Sequence, residues 1–473
     1  MAVDLLIRGG MVVLPEVCCE MDVAIDDGRI MALGASTGMP EARRTLDARG
    51  LYVLPGAVDP HVHLDWPSLG VITADDFASG TMAAAFGGTT TIIDFTYPEK
   101  DGVLLEKLAN RRHQAHGKAV IDYAFHCYLT DGSPRTLEEM ASVVGEGLTS
   151  FKLYMGYSQR KIMVDDVTLL TVMKRAASLG ATVCVHAENG MVAEAARTRF
   201  IGTGQVATVD FPRFKPNYVE AEAVSRAIFW SRQTGARLCI LHLSSAEGLD
   251  LVRAAQQQGL HVFAETCPQY LLLTDEVYRR PDGHRCICSP PIRSEADRQS
   301  LWQGVAEGVI SMIATDHCAF DSRVKDLGRD DFTRVPNGLP GVETRLSLLF
   351  SEGVGKGRIN IDQLARIASL NPALIYGLFP RKGILAPGSD ADIVLFDPAK
   401  RQTLSAGALH SASGWCPYEG WDLQGAPVMT ISRGEVIVER GEYIGDPGRG
   451  RFVQRVTADY GMVAAWRPTP SAR

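Results

Sequence analysis

The sequence predicts an α/β chain built around a (β/α)8 TIM barrel, with a β-sandwich domain formed from both chain ends. Three observations predict it: eight short apolar runs recur through the middle of the chain, helix-like stretches separate several of them, and both ends share a texture of short strands and tight turns. At the N-terminus, LLIRGGMVVL, MDVAIDDGRIMALG and TLDARGLYVL read as strands divided by Gly-Gly and Asp-Asp-Gly turns. SDADIVLFD and PVMTISRGEVIVERGEYIG repeat that texture late in the chain. Chain ends commonly lie near one another, so residues 1–54 and 383–445 are expected to build one sandwich.

Residues 55–382 are expected to carry the barrel. Its strand candidates are PGAVDPHVH (55–63), TTTIIDF (89–95), AVIDYAFHCY (119–128), SFKLYM (150–155), ATVCVHAE (181–188), RLCILHLS (237–244), HVFAETC (261–267) and ISMIATDH (310–317). Segments such as LLEKLANRRHQAHG, VTLLTVMKRAASLG, VEAEAVSRAIFWSRQTG and AEGLDLVRAAQQQG supply helices, with glycine where a helix prefers to stop. A doubly wound open sheet is the competing architecture, but no GxGxxG follows an early strand. The Pro/Gly-containing tail, 446–473, reads as an arm for a neighbouring subunit or as a frayed end.

Composition removes several function classes. The chain has 473 residues, 46% hydrophobic and 22% charged, which suits a folded globular protein and not a disordered one. A net charge of -7, from 48 Lys+Arg against 55 Asp+Glu, without a long basic run, argues against nucleic acid as a partner. No apolar run approaches the ~20 residues that span a bilayer, and the N-terminus lacks a signal-peptide layout, so no membrane partner and a cytoplasmic location are expected. The ten cysteines, several inside apolar strands, read as small buried hydrophobes; Cys286 and Cys288 have no second pair for a zinc knuckle.

In such a barrel the chemistry sits at the C-terminal strand ends. Strand 1 ends in His61-Val62-His63, whose period-two spacing puts both imidazoles on one face, where they can share a metal. Strand 4 carries Lys152, strand 5 ends in His186, strand 6 in His242 and strand 8 in Asp316. Singly, each has an ordinary explanation: a satisfied core histidine, a half-buried ion pair, a helix cap. Six metal-competent side chains at matching positions of a repeated unit are not what packing alone produces, and they point to a metal site.

DPHVHLD, SFKLYMGY, VCVHAENG, LHLSSAEG, AETCPQYLLLTDE, CSPPIR, ATDHCAFD and PNGLPGVETRL together resemble the dihydropyrimidinase and hydantoinase branch of the cyclic amidohydrolases, over nearly the whole chain. The resemblance implies a pair of zinc ions, with His61, His63 and Asp316 on one, His186 and His242 on the other, and Lys152, carboxylated by carbon dioxide, bridging both. It implies hydrolysis of a cyclic ureide or imide to an N-carbamoyl amino acid or analogue by a metal-bridging hydroxide, with Asp316 shuttling the proton and Tyr157 stabilising the oxyanion. Ser289 and Asn337 match positions whose main-chain groups hold the substrate, and the usual assembly is a homotetramer, with a homodimer as the smaller alternative. Carbamate formation is physically reasonable: a buried site beside two cations favours a neutral amine, which can then take up carbon dioxide.

The loop after strand 1 matches the gate around the ring substituent, but Trp66, Ser68 and Leu69 replace the Met, Phe and Gly common there, and Tyr154 stands where Phe is frequent. Substituent size and enantiomer preference are therefore open. Dihydroorotases usually place Arg two residues after the second histidine; Asp65 here would repel their carboxylate. Allantoinases are nearer, although ATDHC and PNGLPGVETRL fit the hydantoinase pattern better. The reading from another class, a noncatalytic scaffold, expects lost ligands, whereas all six positions are kept. A Cys318-His317 nucleophile is disfavoured because adjacent strand residues face opposite ways.

Overall fold

A computed structural model describes residues 2–99 and 102–458. The barrel strands are β1 (Ala57–Asp59), β2 (Thr89–Phe95), β3 (Asp122–Tyr128), β4 (Ser150–Tyr154), β5 (Thr182–His186), β6 (Arg237–Ile240), β7 (Val262–Thr266) and β8 (Met312–Ile313); all run parallel, neighbouring one another in chain order. The ring closes through a parallel bridge between Val62 and His317, where the His63 amide donates to the His317 carbonyl at 2.8 Å. Every residue of β2, β3 and β5 is buried, as strands covered on both faces require. β1 and β8 are shorter than their apolar patterns suggest. Pro60 cannot continue a ladder, and Asp316 takes a left-handed backbone, so both segments leave the strand where the ligand candidates begin.

Helices Leu104–Ala115, Asp166–Ser178, Asn217–Thr234 and Ala246–Gln257 occupy four of the expected crossovers. Their ends follow capping chemistry: Asp165 accepts from the Thr168 amide, Ser245 from the Gly248 amide, and Gly235 closes the long helix at φ 69°. Leu249 and Val252 bury one face of Ala246–Gln257, each contributing roughly 1.5–3 kcal/mol. Inside the barrel, Val58, Ile93, Ala124, Cys184, Cys239 and Met312 pack against Leu370, Leu374 and Tyr376, which plug its lower end. The active end is therefore the open one.

The β module expected from both chain ends is one hydrogen-bonded nine-stranded sheet. Val3–Val13 pairs with Cys18–Asp26, Ala42–Asp47 and Tyr52–Pro55, and Tyr52–Pro55 joins the C-terminal strands through Ile393–Thr403. Gly56 makes the junction: its amide donates to Asp392 O at 2.7 Å, and a Cβ there would meet Thr90 Oγ1 at 2.2 Å. Buried Lys382 ties the units together, with Nζ 2.7 Å from both Asp122 and Asp392 and 3.0 Å from Asp390.

The described part of the tail, 446–458, does not reach outward. It docks beneath this chain's own barrel, where Val453 N donates to Tyr123 O at 2.8 Å and the buried Arg455 guanidinium donates to Ser150 Oγ at 3.0 Å. The remainder of the expected arm, 459–473, lies outside the described residues.

Candidate active site and metal centre

The ligand candidates converge at the open end of the barrel. His61 Nε2 and His63 Nε2 each lie 3.2 Å from the same Asp316 oxygen, and one ligand atom from each of the three falls within 4.8 Å of the others. Across the barrel, His186 Nδ1 and His242 Nε2 are 3.0 Å apart. Lys152 lies on β4 opposite Cys184 of β5, two residues before Tyr154, which pairs with His186. It is fully buried, and its Nζ has no hydrogen-bond partner. His242 and Asp316 hold left-handed backbones, at φ 38° and 49°, a conformation that costs about 1–3 kcal/mol in a non-glycine residue and concentrates at working sites.

Burial sets the electrostatics. It depresses His61 and His186 to about 4 and lowers His63 and His242 too, so all four imidazoles are neutral and can offer a lone pair. Burial also pulls the Lys152 ammonium down to about 8, against the opposing pull of Asp316 and Glu265. Desolvation raises the Asp316 carboxyl, but His61 and His63 outweigh it and leave the group below its ordinary range.

Residues 52–437 match the model of the amidohydrolase family. The chain belongs to the amidohydrolase family. It is 41% identical to a D-hydantoinase of Geobacillus stearothermophilus over 464 residues, 97% of this chain and 98% of that relative. Against a D-phenylhydantoinase of Escherichia coli O1:K1 / APEC, identity is 42% over 453 residues, 95% and 98% of the two chains. The crystal structure of dihydropyrimidinase from Brevibacillus agri NCHU1002 superposes with a TM-score of 0.94 at 41% identity, covering 96% of this chain and 99% of that one. An L-hydantoinase (dihydropyrimidinase) from Arthrobacter aurescens gives 0.89 at 32% identity, covering 96% and 100%.

His61, His63 and Asp316 form a group that could hold a metal ion, as a member of a family that generally binds a binuclear metal centre would need. A tetrahedral cation holding two imidazole nitrogens at ~2.0–2.1 Å separates them by about 3.3–3.4 Å, close to the spacings here. Lys152 Nζ and His61 Nε2 are buried polar atoms that make no hydrogen bond in the described chain, although Asp316 lies 3.2 Å from the latter, which is what a site built for cations predicts.

The outer contacts include residues the sequence reading missed. Glu265 of β7 takes His61 Nδ1 at 2.6 Å, and Glu188 takes His186 Nε2 at 2.7 Å; each fixes which ring nitrogen keeps its proton. Glu188 also meets Lys215 Nζ at 2.6 Å and the Ser289 hydroxyl at 2.8 Å. A signal existed for both acids: Glu188 lies two residues past His186, at the end of the same apolar run, and Glu265 is the carboxylate of strand 7. Lys215, in a segment without periodicity, gave none.

A cavity of about 170 Å³ opens over the ligands, with Tyr157, Ser289 and Asn337 in its wall. The Tyr157 hydroxyl accepts from Asn337 Nδ2 at 3.1 Å. The gate candidates divide into two kinds. Trp66 packs against His63, centroids 4.8 Å apart, and Tyr154 stacks on His186 at 4.7 Å, so each braces a ligand candidate. Ser68 and Leu69 form a hairpin at the rim, where Leu69 is 55% exposed. His317 turns away from Cys318: its Nε2 meets Asp75 at 3.1 Å and its Nδ1 accepts the Gly341 amide. Burial pushes the Cys318 thiol up, removing it as a nucleophile. Cys286 and Cys288 are buried, and among the described residues neither joins a metal-competent group.

Proposed function

We propose that this amidohydrolase hydrolyses the C–N bond of a hydantoin, dihydropyrimidine or related cyclic ureide or imide, giving an N-carbamoyl amino acid or its analogue. His61, His63 and Asp316 would hold one divalent cation and His186 and His242 a second, with Lys152, carboxylated on Nζ, serving both; zinc would suit this nitrogen and oxygen set. The observation that carries the reading is Lys152: a buried lysine whose Nζ makes no hydrogen bond and lies only over the Tyr154 and Phe95 rings, in the electrostatic reach of His61, His186, His242 and Asp316. The relatives named D-hydantoinase and dihydropyrimidinase support the substrate class.

When bound, the cations lower the pKa of a water toward ~7 and polarise the substrate carbonyl. Asp316 takes the proton as the water adds to the ring carbonyl and passes it to the leaving ring nitrogen. The Tyr157 hydroxyl, oriented by Asn337, donates to the oxygen that gains charge. Ser289 and Asn337 offer main-chain groups to the ureide, since the Ser289 hydroxyl is held by Glu188 and the Asn337 amide by Tyr157.

We further propose a homotetramer, or a homodimer, acting in the cytoplasm. Exposed Met191, Ile201, Val209, Tyr218 and Phe229, grouped on and between helices Gly190–Gly202 and Asn217–Thr234, support a subunit contact. Among the described residues no helix is long and apolar enough to cross a membrane. The test of function is a ring-opening panel of dihydrouracil, hydantoin, 5-substituted hydantoins, allantoin and cyclic imides, with chelator controls. Chelator-sensitive opening of hydantoins or dihydrouracil is expected; opening of allantoin alone would overturn the assignment.

A further inference from the structure

The cavity wall opposite the metal ligands holds one permanent cation. Arg160 ends the short turn Ser158–Arg160 and reaches back over the substrate space, lining it with Ser68, Leu69, Pro98 and Ile162. Its guanidinium carbon lies 4.7 Å over the Tyr157 ring, and Nη1 is 3.3 Å from the Ser68 hydroxyl. Nε is buried without a partner. Among the described residues no carboxylate comes within ion-pair distance of this guanidinium. The side chain is thus pinned between the two rim segments with donors to spare.

An uncompensated guanidinium in a part-desolvated wall is unfavourable unless a ligand brings the opposing charge, and its planar fork suits a carboxylate better than any other common group. Asp316 is the acid in the lining, and it belongs to the ligand cluster. Asp65, the residue that argues against a carboxylate attached directly to the ring, does not line the cavity. A ring held by Tyr157, Ser289 and Asn337 would leave its substituent to the rest of the lining, which includes Leu69 and Arg160.

We propose that Arg160 makes this enzyme select cyclic ureides whose ring substituent ends in a carboxylate, by pairing that group at the rim. The inference rests on the ring-opening activity proposed above and adds its specificity. Arg160 contacts the substituent and leaves the reacting atoms to others.

The test uses zinc-loaded full-length enzyme and two nearly isosteric substrates, 5-(2-carboxyethyl)hydantoin and 5-(2-carbamoylethyl)hydantoin. Wild type should favour the acid in kcat/KM by roughly ten- to hundredfold, mostly through KM, and the preference should shrink as salt rises. In Arg160→Gln the ratio should fall to about one, and Arg160→Lys should keep part of it; taking the ratio within each protein cancels any general loss of activity or folding. A wild-type enzyme that opens the carboxamide as well as the acid, or an Arg160→Gln enzyme that keeps the full ratio, overturns the proposal alone. Failure to open either compound or hydantoin itself overturns the activity as well.

Discussion

Replacing Glu188 by Gln separates what that carboxylate does for the fold from what it does for the metal site. It is 1% exposed and meets three partners: His186 Nε2 at 2.7 Å, Lys215 Nζ at 2.6 Å and Ser289 Oγ at 2.8 Å. Burial raises its carboxyl, but Lys215 and His186 more than reverse that and hold it far below the usual range, so it is charged. Glu188→Gln leaves the buried Lys215 ammonium without its counter-charge, a loss of about 3–5 kcal/mol, toward the lower end because the amide oxygen still accepts one bond. It also releases the constraint that keeps the His186 proton on Nε2 and the Nδ1 lone pair free, which should weaken metal binding by ~10–100-fold. Urea unfolding of metal-stripped protein reads the first effect; zinc competition against a chromophoric chelator reads the second. Glu188→Gln combined with Lys215→Met removes both charges, so it should recover most of the stability while zinc affinity stays low. A single variant with wild-type urea midpoint, or a double variant no more stable than the single, would refute the reasoning.

Tyr157→Phe deletes the hydroxyl oriented by Asn337, and turnover should drop ~10²–10³-fold with metal content unchanged; undiminished turnover removes Tyr157 from the mechanism. Lys325 is a buried cation that donates to the carbonyls of Ile287 at 2.9 Å and Gly338 at 2.6 Å, next to Ser289 and Asn337, and burial pulls it down to about 8. Because its folded value is below its unfolded ~10.4, the folded state binds fewer protons between those limits: the destabilisation is complete below pH 8 and fades as pH rises toward 10. Wild type should therefore gain roughly 3 kcal/mol relative to Lys325→Met between pH 7.5 and 10.5, read by urea unfolding; an unchanged gap contradicts a buried charged lysine. Arg455→Ala strips three buried carbonyl and hydroxyl acceptors under the barrel and should cost on the order of 2–3 kcal/mol of stability, with the KM of any folded enzyme unaltered.

The barrel was legible because fully buried parallel strands are continuous apolar runs, and the first polar residue after each run marks where the strand meets the open end. That rule picks out His186 at the end of its strand, whereas Lys152 lies within β4. It puts His242, Asp316 and the His61-His63 pair inside strands, and the structure puts them just beyond, where Pro60 and the left-handed His242 and Asp316 cannot continue a ladder. Two kinds of feature escaped. Glu265 was passed over although its position obeys the same rule, and Lys215 was invisible because it reaches the site from a loop far off in sequence. The described part of the tail, 446–458, packs on the chain's own barrel, where Gly448 and Gly450 permit close approach to Gly117 and Ile121.

The proposed dinuclear centre, shared through Lys152, is tested most directly by metal content. Wild type and Lys152→Met, both purified with zinc and bicarbonate, are analysed for zinc per chain and assayed for hydantoin opening. About two ions per wild-type chain with turnover, and no more than about one ion without turnover in the variant, is the predicted result. Ring opening by protein holding no divalent ion, or a Lys152→Met chain that keeps the full zinc complement, would contradict it.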